Sequence, residues 1–138
     1  MTIGRLIWIV GTAILILIVN VSFSVLYMVI YSYLINPGHD DQFYQEHVLI
    51  AAPYCSIVTG IPLFYFVCRW IGSKWAQSFA IKASVFVWIM YFLIDVTVLV
   101  AAGLTLRIIV LAIISFTTKL VSAYFGGLSA SKKIKVLA

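Results

Sequence analysis

Between Leu6 and Leu34 the chain carries no charged side chain, and the same holds from Val48 to Cys68. Two later apolar runs are each interrupted by a single charge, Asp95 in one and Lys119 in the other. A helix crossing a bilayer needs about 20 predominantly apolar residues. In lipid, moreover, every backbone N–H and C=O must be bonded within the segment or to protein, which leaves helices as the spanning form for such runs. Composition leaves no other class. The chain of 138 residues is 64% hydrophobic and only 9% charged, whereas a soluble domain carries about 25% charged residues. The sequence therefore predicts an all-α integral membrane protein.

Breakers divide the chain into four expected helices. The first covers about 4–35 and stops at Asn36-Pro37-Gly38. The second runs to 70, from Asp41 at the earliest or from 46 if the polar segment stays outside it. Gly72-Ser73 breaks the chain again, with Ser73 suited to cap a third helix over 74–102. Gly103-Leu104-Thr105 is a turn short enough to make the third and fourth helices a hairpin. The fourth is expected over 106–125, ended by Gly126-Gly127, with a basic tail at 129–138. No repeat or second domain interrupts this plan, so 1–138 reads as one transmembrane domain.

Basic residues set the expected orientation. Arg5, Arg69, Lys74, Lys82, Lys132, Lys133 and Lys135 flank helix ends on one side, against Arg107 on the other. The positive-inside rule makes the richer side cytoplasmic. The expectation is an up-down-up-down four-helix bundle with both termini cytoplasmic, in a plasma or bacterial inner membrane, and with the polar loop 36–47 extracellular or periplasmic. The first apolar run exceeds the ~7–15 residues of a signal-peptide core and is expected to stay as an anchor. The net charge of +5 speaks to orientation and lipid contact. It forms no aromatic-interleaved basic patch, so nucleic acid is not an expected partner. Cys55 and Cys68 lie ~20 Å apart on one helix, beyond disulfide reach.

The polar loop holds His39, Asp40, Asp41, Glu46 and His47. These are ligand types for Zn, Mn or Fe. Their spacing is poor, because the histidines do not share a helix face and Glu46 and His47 point about 100° apart. The simpler expectation is that Asp40 or Asp41 caps the second helix while Glu46 and His47 sit at the wet rim. No cofactor is expected, and a divalent metal at this loop is the alternative.

Inside the bilayer the polar residues are few. Asp95 lies ~12 Å below the end of the third helix, where a carboxylate costs roughly 2.5–3.5 kcal/mol unless protonated, paired or wet. Arg107 and Lys119 are each offset from it by roughly 9 Å along the axis. Lys119 shares a face with Ala112, Ser115, Ser122, Ala123 and Gly126, a small-residue stripe suited to close helix packing. That stripe turns Lys119 toward protein; the competing reading has it snorkel to the headgroups. On the first helix Asn20, Ser24, Tyr27 and Tyr31 form one ridge. The second adds Ser56, Thr59 and Gly60 between two prolines. These residues suit a polar crevice or ordinary interhelical hydrogen bonding.

No nucleophile–base pair or carboxylate pair lies within the membrane, so an enzyme is not expected. The leading expectation is a module that associates with itself or a membrane partner through small-residue helix faces. A small transporter or channel-like protein is the alternative, with Asp95 binding a proton or cation and Lys119 or Arg107 modulating it. A metal site at His39–His47 comes third.

Overall fold

A computed structural model describes residues 3–103 and 105–137, with side chains at all of these except 102 and 134–137. Leu104 of the expected hairpin turn and the Lys135 side chain of the basic tail lie outside the described residues. The described residues are helical almost throughout, in four helices: α1 Ile3–Ile30, α2 Asp41–Gly72, α3 Gln77–Ala102 and α4 Leu106–Leu137. Each is long and apolar enough to cross a membrane. At 32 residues, α2 and α4 are ~48 Å long, against a hydrocarbon core of about 30 Å. Their ends must therefore reach the headgroup layers.

α1 loosens into a π-helical turn at Tyr31–Ile35, closed by Asn36 N donating to Tyr31 O at 2.8 Å. α2 starts at the earlier of its two expected positions, because the Asp40 carboxylate accepts from Phe43 N at 3.0 Å and satisfies an orphan donor of the first turn. The helix then continues through Pro53 and Pro62. Gly103, at φ 93°, ends α3 in a conformation that only glycine adopts freely.

Two expected boundaries are corrected. α3 begins at Gln77 rather than 74, and Ser73 does not cap it. Ser73 instead closes α2, its N donating to Arg69 O at 3.1 Å and its Oγ to Trp70 O at 2.7 Å. The Lys74 ammonium lies over the rings of Trp70 and Trp8, 4.1 and 5.0 Å from their centroids. α4, in turn, does not end at Gly126-Gly127 but runs on to Leu137. Both glycines are buried where α4 crosses its neighbours. A Cβ on Gly126 would meet the Tyr65 carbonyl of α2, and one on Gly127 would meet Ser84 and Ile81 of α3. Close approach offsets the ~1 kcal/mol that a glycine costs inside a helix.

α4 packs most extensively on α2 and next on α3, while α1 rests on α2 and α3. Trp8 meets Trp70 at one end, and Tyr31 stacks on His47 at the other. α1 and α2 therefore run in opposite directions. The end carrying residues 36–40 is called the loop end below. The core joins Ile9, Ala13, Ile16, Phe64, Cys68 and Val87. Outside it, large apolar side chains such as Ile7, Ile18, Val58, Phe66 and Ile113 stand exposed, which suits a lipid-facing surface and not water.

Candidate functional site

The polar residues of the four helices meet at mid-bundle. The small stripe of α4 faces protein, and Lys119 with it is 0% exposed. Its stem runs across Gly60 of α2, where an added Cβ would collide with Lys119 Cε. Four residues before Gly60 on the same face, Ser56 Oγ accepts from Lys119 Nζ at 2.7 Å. A second bond goes from Lys119 Nζ to the Tyr91 hydroxyl at 2.9 Å. The Ser56-x-x-x-Gly60 pair thus does more than let helices touch. Glycine opens a corridor for the lysine stem and serine receives its charge.

Asn20 of α1, 4% exposed, ties the cluster together. Its Nδ2 donates to Ser56 Oγ at 2.8 Å and to Tyr91 Oη at 3.2 Å, and its Oδ1 accepts from Thr59 Oγ1 at 2.6 Å. The Tyr91 oxygen therefore accepts from both Asn20 and Lys119, which leaves its own proton to give. Asp95 lies one turn further along the same face of α3. Asp95 makes no direct bond to the ammonium, but the two groups lie close enough for each charge to act on the other. Every buried side-chain polar atom among the described residues has a partner, as a low-dielectric network requires.

Asn20, Ser56 and Tyr91 of the network also line a cavity of about 680 Å³ bounded by all four helices. Its polar lining includes Asn20, Ser24, Ser56, Tyr91 and Asp95 and, near the loop end, Ser32, Asp41, Tyr44 and Gln45. Its walls are mostly aliphatic, with Leu17, Val21, Met28 and Leu111 prominent.

Of the residues singled out in the sequence, Asn20, Ser56, Thr59 and Lys119 are brought into one bonded cluster, with Asp95 beside it. Ser24 lines the cavity and bonds to Asn20 O at 3.3 Å. Arg107 is not brought to Asp95; it is exposed on the first turn of α4. Tyr91 does not stand out in the sequence, where it is one of 8 tyrosines. Its signal is the four-residue spacing to Asp95, which places a hydroxyl beside a membrane carboxylate.

At the loop end the histidines are engaged separately. His39 stacks on Phe43 at 4.1 Å, with Nε2 3.1 Å from Asn36 Oδ1. His47 stacks on Tyr31 at 3.8 Å, with Nε2 3.3 Å from the Tyr27 hydroxyl. Asp40 caps α2, and Glu46 accepts from Gln42 at 3.1 Å. Among the described residues no three His, Cys, Asp or Glu side chains converge. Replacing His39 and His47 together with Ala should cost about 0.5–1.5 kcal/mol of stability per lost stack and release no bound metal. Elemental analysis of purified protein decides this. Stoichiometric Zn, Mn or Fe in the wild type, absent from the double variant, would establish a metal site there.

The chain matches no known protein family, and no curated protein or solved structure matches it.

Proposed function

We propose that the protein is a small membrane carrier or channel-like protein and not an enzyme, in which a proton or cation reaches Asp95 through the cavity while Lys119 sets the charge of the site. The junction of that cavity with the Asn20–Ser56–Tyr91–Lys119 network carries the reading. Each charge inside a bilayer is costly, and intramembrane charges commonly mark substrate or ion pathways. A purely structural role is a poor reason for them, since well-packed apolar residues often do as well or better than a buried ion pair. Association through small-residue faces has less support, because the stripe on α4 and Gly60 on α2 already pack on each other within one chain.

The proposed arrangement is up-down-up-down, with both termini cytoplasmic and the loop end facing outward from a plasma or bacterial inner membrane. The one-sided basic residues and the opposed directions of α1 and α2 favour it. Single cysteines at Gln42 and Ser131, in a background with Cys55 and Cys68 replaced, should label from opposite faces, Gln42 from outside. Labelling from one face would defeat the arrangement. Transport itself is tested in vesicles containing the purified protein and an internal pH dye. A pH or potassium gradient should drive faster internal acidification or cation uptake with wild-type protein than with Asp95→Asn. Equal rates for the two proteins would remove the carrier reading.

A further inference from the structure

We infer that the cavity is built for an organic cation with an apolar body, its charged centre beside Asp95 and its body against the aliphatic walls. This rests on the carrier reading above and names the substrate class of the same site.

Three observations narrow the ligand. The first is size: about 680 Å³ lies within the ~300–1,000 Å³ typical of sites for drug-sized molecules, far more than a bare ion fills. The second is the sign of the accessible charge. The lining includes the carboxylates of Asp95 and Asp41 and, among the described residues, no lysine or arginine. Lys119 is withdrawn from it at 0% exposure, its ammonium held by Ser56 and Tyr91. Asp95 is half-buried and reachable. An incoming charge thus meets carboxylate first and the ammonium only behind two hydroxyls. The third is the chemistry of the walls. Calcium asks for 6–8 oxygen ligands and magnesium for an octahedral shell. Leu17, Val21, Met28 and Leu111 supply none, and such aliphatic walls suit the apolar body of a poorly hydrated organic cation. An apolar-bodied cation satisfies all three.

Tetraphenylphosphonium and tetraphenylborate, which share shape and apolar surface but have opposite charge, provide the test on purified full-length protein in detergent. Calorimetric titration should show saturable binding of the phosphonium and only unsaturable partitioning of the borate. Asp95→Asn should weaken the phosphonium about tenfold or more, the scale of a charge contact at partly buried range, and Asp95→Glu should restore much of it. Val21→Trp, which narrows the cavity without touching the network, should weaken binding even if Asp95→Asn fails to fold. Equal binding of both probes, or saturable borate binding lost with Lys119→Met, would overturn the cation class. Absence of phosphonium binding, alongside Asp95-dependent proton flux in vesicles, would also overturn it and leave the carrier standing. Asp95-dependent phosphonium binding without any flux would uphold the site while removing the carrier.

Discussion

Asp95→Asn is expected to destabilise the detergent-solubilised protein, and to cost much less when Lys119 is already methionine. The carboxylate and the ammonium act on each other without a direct bond, so removing one leaves the other's charge uncompensated in a low-dielectric core. Breaking a directly bonded buried pair costs ~3–5 kcal/mol. The loss here should fall toward the lower end, because Lys119 keeps Ser56 and Tyr91 as acceptors. In a Lys119→Met background no ammonium remains to be stranded, and the double-mutant cycle should return a coupling of about 0.5–3 kcal/mol. Arg107→Met should leave the cost of Asp95→Asn unchanged, since Arg107 is exposed and apart from the cluster. Thermal unfolding in a mild detergent reads both cycles. Additive effects with Lys119→Met would mean that Asp95 acts independently of the lysine. Rescue by Arg107→Met would mean that Arg107, and not Lys119, is the partner of Asp95.

Gly126→Ala should destabilise the protein although alanine is the better helix former. Propensity favours alanine by ~1 kcal/mol. The new Cβ, however, would press on the Tyr65 carbonyl and the Arg69 amide of α2, which are backbone atoms that cannot rotate away. Overpacking of this kind typically costs 1–3 kcal/mol, and here the backbones of α2 and α4 must separate to relieve it. Gly126→Leu should abolish the folded bundle. Gly11 supplies the control. It lies within α1 with nothing near its would-be Cβ, so Gly11→Ala should be neutral or stabilising by up to ~1 kcal/mol. Unfolding midpoints of the three variants, measured side by side, separate packing from propensity. If Gly126→Ala matched or exceeded wild-type stability, the close crossing of α2 and α4 would be refuted.

The sequence by itself determined that the described chain is four apolar helices, because hydropathy over some 20 residues and the need to bond every backbone group in lipid act locally. The breaks after Ile35 and Ala102 and an aspartate cap at Asp40 or Asp41 were legible for the same reason: glycine, proline and short acceptors act within one turn. The buried face of α4 was legible too, since small residues at helical spacing mark a close crossing wherever the partner lies. Boundaries that depend on a partner were not. Gly126-Gly127 reads as a stop in the sequence, yet both glycines are contact points inside a helix that continues for another ten residues. Similarly, Ser73 reads as the start of α3 but closes α2, with Lys74 lying over Trp8 and Trp70. Only the tertiary structure chose Lys119 over Arg107 as the charge acting on Asp95, and only it brought the Tyr91 hydroxyl onto the Lys119 ammonium. Distance along an axis could not separate the two candidates, each offset by roughly 9 Å. The rotation of α4 about its own axis could. That rotation follows the face on which backbones approach most closely, and Gly126 and Gly127 mark that face against the backbones of α2 and α3.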